Sequence, residues 1–192
     1  MSKRVKDYIS LYPNAFSKEE CQNLIDKFEK YTDFHDKRKI AAKDGWHMEF
    51  TQLHLANHTE FDQEYAILKQ RFLRGIATYR KEHNIQSHQW PQQFQLEPFR
   101  MKRYLPNTKE SFGEHVEVTN LETAKRFMVA LIYLNDDFEG GGETDFVQLD
   151  FKVKPQQGSM AIFPATWNWL HKAHPVRGEN AKYFVGTLLH YV

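Results

Sequence analysis

The sequence has little cysteine, no excess of charge of either sign and no long apolar run. Its one cysteine, Cys21, cannot form a disulfide within the chain, which favours a reducing compartment. The 26 basic and 25 acidic residues leave a net charge of +1, which gives no reason to expect a nucleic acid or an anionic membrane as partner. The longest apolar run, residues 127–134, is too short to cross a bilayer, and no apolar run follows the early charges as in a signal peptide. We therefore expect a cytoplasmic location.

The chain nevertheless contains enough apolar surface for one folded domain. It has 192 residues, of which 41% are hydrophobic and 15% aromatic, so it can bury a sizeable core. It shows no internal repeat, no low-complexity segment and no linker. We therefore expect a single domain over residues 1–192, and the oligomeric state stays open.

Two helices are predicted in the first half. Ser17 and Glu20 form a capping box, which predicts a helix over about residues 18–31. Thr59 with Asp62 starts a second apolar series of helical spacing, which predicts a helix over about residues 60–83. The charged residues 32–48 are interpreted as an exposed loop.

Short strands dominate the second half, where turn signals separate them. Strands are expected over residues 8–12, 50–55, 94–104, 112–118, 126–134, 144–151, 159–163, 167–173 and 182–191. Strands at this spacing indicate a sandwich or barrel, and a jelly-roll sheet backed by the two helices is the most economical arrangement. The predicted fold class is therefore α+β.

A histidine and a carboxylate stand two positions apart at His115 and Glu117. If residues 112–118 form a strand, both side chains point to the same face. Together with one further histidine they would complete a 2-His-1-carboxylate triad, which holds non-haem Fe(II) and leaves open positions. The C-terminal segment offers His171 for this role.

An ordered series of motifs runs from Tyr104 onward. In chain order it comprises His115-Val116-Glu117, residues 126–135, residues 140–146, residues 158–164, His171 with Pro175-Val176 and Gly178, and Lys182-Tyr183. This set resembles the Fe(II)- and 2-oxoglutarate-dependent dioxygenases of the prolyl 4-hydroxylase type. Residues 16–24 also resemble the first helix of that family, whereas residues 32–93 carry only a weak likeness.

The resemblance implies a fold and a set of cofactors. The fold is a double-stranded β-helix (jelly roll) with N-terminal helices packed on one sheet, with helical support over about residues 14–90 and the jelly-roll core over about residues 94–192. The cofactors are Fe(II), 2-oxoglutarate and O2, with ascorbate as a candidate reductant.

The resemblance also implies roles for individual residues. His115, Glu117 and His171 would bind Fe(II), and Lys182 would hold the distal carboxylate of 2-oxoglutarate. Tyr133 and Tyr104 would donate hydroxyl hydrogen bonds to the cosubstrate. Arg126 resembles a family position that lines the substrate groove. Strand alternation separately predicts that Trp169 shares a face with His171 and lies near the pocket mouth, where it would stack on a substrate ring; the alternative is that Trp169 only packs against the helices.

Several of these assignments have an alternative. His174 competes with His171 as the distal ligand, although the proline four residues after His171 matches the family. Lys182 is alternatively a surface lysine, and Tyr133 a plain core residue. Tyr104 poses a conflict, because strand alternation puts Arg100 and Lys102 on its face and buried unpaired charges are costly. A bulge, a position of these charges at the mouth, or a different role for Tyr104 would resolve it.

The substrate expected from the resemblance is a prolyl residue in a peptide or protein. A free amino acid or another small molecule is the alternative substrate. Two other classes remain open. One is a degenerate binding module, because Glu117 stands where the family has aspartate. The other is a cupin-like metal protein without 2-oxoglutarate, against which Lys182 speaks.

Overall fold

The computed structural model describes residues 4–192, which form two α-helices and fourteen strands. The helices are α1 (Lys18–Lys30) and α2 (Asp62–Glu82). The strands, in chain order, are β1 (Ser10–Tyr12), β2 (Asp36–Ala41), β3 (His47–His54), β4 (Phe94–Leu96), β5 (Arg100–Tyr104), β6 (Ser111–His115), β7 (Arg126–Tyr133), β8 (Gly140–Gly141), β9 (Thr144–Phe146), β10 (Phe151–Val153), β11 (Met160–Pro164), β12 (His171–Ala173), β13 (Val176–Arg177) and β14 (Lys182–Tyr191). None of the helices in this described part combines the length and apolar character that a membrane span needs.

Twelve of the strands join in one antiparallel sheet that is nearly closed like a barrel. Its order is β1-β11-β7-β14-β5-β3-β6-β12-β9-β10, with β2 added beside β3 and β4 beside β14. The short strands β8 and β13 pair separately. The predicted jelly roll with accompanying helices is confirmed.

The alternation of strand β7 shows how the sheet separates two environments. Met128, Ala130 and Ile132 belong to the apolar core that the helices cover. The intervening residues Val129 and Leu131 face the inside of the barrel, because successive side chains of a strand point to opposite faces. From Val129 onward, the odd-numbered residues of β7 therefore face the barrel interior.

Helix α1 begins as predicted. The Ser17 hydroxyl accepts a hydrogen bond from the Glu20 amide at 3.0 Å, and the Glu20 carboxylate accepts one from the Ser17 amide at 2.7 Å. Cys21, Leu24 and Phe28 are fully buried on its inner face. The capping box thus satisfies orphan amide groups where the apolar stripe begins.

Helix α2 packs very closely on strand β11. A Cβ atom at Gly75 would lie 2.3 Å from the sulfur of Met160, so glycine allows the helix this close approach. A short 3-10 turn, Thr59–Phe61, precedes the helix, which starts at Asp62 rather than near residue 60.

The predicted loop over residues 32–48 is wrong for most of its length. Strand β2 and the first residues of β3 form a hairpin there, after a 3-10 turn over Thr32–Phe34. Strand β2 is almost entirely exposed at the edge of the sheet, so it carries no alternating apolar signal. Charged residues on such an edge strand resemble a loop in sequence.

Two predicted strands near the candidate site are shorter than expected. Strand β6 ends at His115, and Glu117 lies in a bend after it. The predicted strand over residues 167–173 begins only at His171, because Trp167–Trp169 forms a 3-10 turn. The argument that strand alternation aligns Glu117 with His115, or Trp169 with His171, is therefore wrong.

Candidate active site

Three potential metal ligands meet inside the barrel. The ligand atoms of His115, Glu117 and His171 lie within 4.8 Å of one another, and within residues 4–192 no other histidine, cysteine and acidic residues form such a group. One carboxylate oxygen, Glu117 Oε1, lies 3.5 Å from His115 Nε2 and 3.8 Å from His171 Nε2. His174, the alternative ligand, lies outside the group, where its ring contacts Asp145 at 2.8 Å.

Backbone carbonyl groups orient both imidazole rings. His115 and His171 are register partners at the end of β6 and the start of β12. Nδ1 of His115 lies 2.8 Å from the Gly113 carbonyl, and Nδ1 of His171 lies 2.9 Å from the Trp169 carbonyl. A carbonyl only accepts, so each Nδ1 carries the proton. In the neutral imidazole each Nε2 is then the unprotonated nitrogen and faces Glu117, the arrangement that a metal requires.

Aromatic rings enclose the two histidines. The Phe112 ring stacks on His115 with a centroid distance of 3.7 Å, and Phe146 and Phe163 flank His171 at 5.6 and 5.0 Å. Burial and the neighbouring His115 lower the pKa of His171 to about 4. His171 is therefore neutral near pH 7, which is the form that ligates a metal.

Glu117 is ionised although it is half-buried. Burial raises its pKa, but the hydrogen bond and charge interactions with His115, His171 and Lys102 outweigh this effect and lower it to about 2. Arg126 holds the bend that carries this residue. Its Nη1 donates to the Glu117 carbonyl at 3.2 Å, while its Nε and Nη2 donate to Glu97 at 2.6 and 3.1 Å.

The structure therefore gives Arg126 a positioning task beside its predicted place on the substrate side. Arg126→Met is expected to weaken metal binding about tenfold, because the bend loses the donor that fixes the Glu117 main chain. Anaerobic titration with Mn(II) measures this affinity, and thermal unfolding reports the fold. Arg103→Met is the matched control, since Arg103 pairs with Glu29 and does not line the cavity. An unchanged affinity in Arg126→Met would limit Arg126 to a structural ion pair.

A buried cation lies at a second place in the same interior. Lys182 is 1% exposed, and its Nζ donates to the Gly142 carbonyl at 2.6 Å. The rings of Tyr104, Tyr133 and Phe184 surround it at 5.4, 5.3 and 5.0 Å. Burial lowers the pKa of Lys182 to about 7. An anionic ligand at this point would restore the charged form.

Both predicted tyrosines lie beside Lys182. Tyr104 is its register partner on strand β5, and the Tyr133 hydroxyl is hydrogen-bonded to Thr144 at 2.9 Å. Burial raises the pKa of both phenols well above the ordinary value, so they remain protonated and able to donate.

The conflict over Tyr104 is resolved by the positions of Arg100 and Lys102, which line the cavity beside it. The register between β5 and β14 runs without a shift from Lys182↔Tyr104 to Gly186↔Arg100, so β5 has no bulge there. Arg100, Lys102 and Tyr104 all line the same cavity. The two cations are therefore part of the cavity wall, and Tyr104 keeps its inward orientation.

One cavity of about 390 Å³ contains all these groups. It is lined by the three potential metal ligands, by Lys182, Tyr104 and Tyr133, and by Arg100 and Lys102, which strand alternation had placed on the face of Tyr104. Residues that the sequence did not single out, among them His54, Glu97 and Thr144, line it as well. Arg100 and Lys102 stand four and two positions before Tyr104 on one predicted strand, and this alternation was the only sequence signal that they face the cavity. His54 and Glu97 carried no such signal.

Trp169 does not line this cavity. Its ring is half-buried against the interior apolar cluster that contains Val129, Leu131 and Phe163. Its indole nitrogen is buried and finds no hydrogen-bond partner within residues 4–192. Only the main chain of Trp169 reaches the site, through the carbonyl that holds His171.

Comparisons with known proteins agree with this architecture. Residues 99–190 match the family model described as the 2OG-Fe(II) oxygenase superfamily. The comparison with curated proteins gave no match. Three solved structures illustrate the likeness in fold. The viral collagen prolyl hydroxylase of Paramecium Bursaria Chlorella virus-1, in its 2OG complex, has 18% identity and a TM-score of 0.67, covering 96% of each chain.

Two cellular prolyl hydroxylases share the fold as well. A prolyl-4-hydroxylase of Pseudomonas putida is 14% identical with a TM-score of 0.62, covering 96% of this chain and 92% of its own. A prolyl hydroxylase of Trichoplax adhaerens, in complex with a hypoxia inducible factor peptide fragment, is 10% identical with a TM-score of 0.70, covering 95% and 83%.

Proposed function

We propose that the chain, which matches the 2OG-Fe(II) oxygenase superfamily over residues 99–190, is an oxygenase of this type that hydroxylates a prolyl residue of a peptide or protein. The superfamily implies an oxygenase that uses Fe(II), 2-oxoglutarate and O2. We further propose that residues 1–192 act as a single domain, because one apolar core joins both helices to the sheet. A cytoplasmic location is proposed from the composition alone.

The proposal depends mainly on one observation, which is that the potential metal ligands and the buried Lys182 line the same cavity. Two imidazole nitrogens and one carboxylate are a donor set that suits Fe(II) and leaves positions open. His115, Glu117 and His171 would hold the metal. Bound together, Fe(II) and 2-oxoglutarate supply the activation of O2.

The remaining residues bind and orient the cosubstrate. Lys182 offers a buried ammonium that lacks a carboxylate partner among the described residues, which fits the distal carboxylate of 2-oxoglutarate. Tyr104 and Tyr133 are protonated phenols that would donate hydrogen bonds to the cosubstrate next to it. The apolar rings of Phe146 and Phe163 keep water away from His171.

The prolyl substrate is supported by the neighbours in fold. The solved structures that share the fold include prolyl hydroxylases, one of them in complex with a peptide fragment. Arg126, which lines the cavity, stays a candidate on the substrate side. The ring of Trp169 packs away from the cavity, so we propose a structural role for it in place of the predicted contact with substrate.

The test begins with anaerobic addition of Fe(II) and then 2-oxoglutarate to the purified protein. A weak visible charge-transfer band is expected only when both are present. Exposure to O2 with proline-containing peptides should then form succinate, and mass spectrometry should find one added oxygen on proline. A band without any product would favour the degenerate binding module. Metal binding without an effect of 2-oxoglutarate would favour the cupin-like alternative.

A further inference from the structure

Lys102 is a second lysine of the cavity that the proposed chemistry does not use. It lies on strand β5, two residues before Tyr104, and lines the cavity. Its Nζ lies over three aromatic rings, at 4.4 Å from Phe50, 5.3 Å from Phe112 and 5.9 Å from Phe184. In the described part of the chain, no carboxylate forms an ion pair with Lys102. The rings therefore hold a cation in place without neutralising it.

The charges of the cavity wall are unbalanced. Its cations are Arg38, Arg100, Lys102, Arg126 and Lys182, and its carboxylates are Glu97 and Glu117. Arg38 pairs with Asp36 at 3.2 Å, and Arg126 occupies Glu97 with two hydrogen bonds. In the loaded protein Glu117 would ligate the metal, and Lys182 would pair with the distal carboxylate of 2-oxoglutarate. Lys102 then has no carboxylate partner among the described residues, and burial lowers its pKa to about 8, which leaves it mostly protonated at pH 7.

Arg100 adds to this excess of positive charge. It contacts Glu97 only at 3.4 Å, and that carboxylate is already held by Arg126 at 2.6 Å. Its buried Nε has no hydrogen-bond partner among residues 4–192. Lys102 and Arg100, two inward-facing residues of strand β5, therefore both have N–H groups that are free, within the described part of the chain, to donate hydrogen bonds to a ligand.

The strand register separates these cations from Lys182. Tyr104 pairs with Lys182, Lys102 pairs with Phe184, and Arg100 pairs with Gly186. Two residues of a strand span about 7 Å. Lys102 thus lies one step, and Arg100 two steps, away from the proposed cosubstrate end. His54, the register partner of Arg100 on strand β3, lines the cavity beside them, and Arg38 lines it as well.

We propose that the prime substrate carries a carboxylate close to the carbon that is hydroxylated, and that Lys102, assisted by Arg100, binds this carboxylate. This inference rests on the proposed oxygenase function and names the substrate class of the same site. A cation in a partly apolar cavity is costly unless an anion pairs with it, which such a substrate would do. An acidic side chain beside proline and the α-carboxylate of a free amino acid share this chemistry.

The experiment uses the protein loaded anaerobically with Fe(II) and 2-oxoglutarate. Two matched pairs of probes are titrated, and binding is followed by the change in the visible band. The first pair is a proline-containing peptide with glutamate beside the proline and the same peptide with glutamine there. The second pair is L-proline and L-prolinamide. At least one carboxylate probe is expected to bind about tenfold or more tightly than its neutral match, and that pair identifies the source of the carboxylate.

Three variants connect this preference to Lys102. Lys102→Met should reduce the ratio within the preferred pair to about one. Lys102→Arg should keep most of it, and Lys37→Met, an exposed lysine of strand β2, should keep all of it. Thermal unfolding checks that each variant is folded. Equal binding within both pairs, no measurable binding of either carboxylate probe, or a preference that persists in Lys102→Met would overturn the proposal.

The same titrations separate this proposal from the proposed function. A loss of 2-oxoglutarate affinity in Lys102→Met would assign Lys102 to the cosubstrate and overturn the present inference alone. Failure of the wild-type protein to form the band with Fe(II) and 2-oxoglutarate would instead reject the proposed function. A carboxylate probe that binds through Lys102 but gains no oxygen after exposure to O2 would support the binding site and contradict its proposed chemistry.

Discussion

Glu117→Ala is expected to abolish succinate formation that depends on Fe(II). Glu117 is the only carboxylate in the group of three potential ligands, and its Oε1 lies 3.5 and 3.8 Å from the two histidine nitrogens. Removing an ionised ligand from this buried place should lower the affinity for the metal about a hundredfold or more. Anaerobic titration with Fe(II) and quantification of succinate measure the two effects.

Two further variants control this result. Glu114→Ala removes the acid nearest to Glu117 in the sequence, which pairs with Lys172 on the surface and should leave turnover unchanged. Glu117→Asp shortens the side chain by about 1.5 Å. The bend is fixed by Arg126, so we expect aspartate here to bind the metal more weakly than glutamate. Wild-type iron affinity in Glu117→Ala would require a triad built on another acid.

Lys182→Ala is expected to weaken 2-oxoglutarate binding by about ten- to a hundredfold while Fe(II) binding stays intact. The reason is the loss of one charge-assisted hydrogen bond shielded from water, which contributes about 1.5–3 kcal/mol. Titration of 2-oxoglutarate into the Fe(II)-loaded protein provides the measurement. Lys172→Ala, on strand β12 and paired with Glu114, is the control. An unchanged affinity in Lys182→Ala would show that the carboxylate binds elsewhere.

The same lysine should make cosubstrate binding depend on pH. Its pKa is about 7 in the free protein, against 10.5 ordinarily, so above pH 7 the cavity must take up a proton to bind the carboxylate. The affinity should fall by up to about tenfold per pH unit above 7, and Lys182→Ala should remove this slope.

The stability of the free protein should depend on pH in the opposite direction. Its free energy of unfolding should rise between pH 7 and 10.5, because in this range Lys182 is protonated in the unfolded chain and neutral in the folded one.

The elements that could be predicted carry a local signal. The capping box at Ser17 predicted the start of helix α1 because both of its hydrogen bonds involve residues three apart. Strand β2 of the β2–β3 hairpin could not be predicted, because its exposed charged residues carry no apolar alternation and it pairs only with β3, which in turn pairs with the distant strand β5. Trp169 was predicted to lie on a strand, yet Trp167–Trp169 forms a 3-10 turn that residue alternation does not reveal.

The candidate site likewise has residues that the sequence predicted and supporting contacts that it did not. The ordered motifs pointed to His115, Glu117, His171 and Lys182, and these residues line one cavity in the structure. No sequence pattern indicated the hydrogen bonds by which Arg126, itself held by Glu97, holds the main chain of Glu117. Arg126 reaches Glu97 across the sheet, 29 positions earlier in the chain, and the main chain of Glu117 nine positions earlier. Such contacts depend on the register of strands and not on spacing along the chain.

Strand β14 has a consequence for how the molecule folds. It follows every other described strand in chain order, yet it lies in the middle of the sheet between β7 and β5. The two sides of the sheet can therefore join only after residues 182–191 have left the ribosome. Until then β5 and β7 present unpaired edges, which invite association with other chains. We expect slow folding of high contact order, in which closure of the sheet and arrival of Lys182 in the cavity are one event.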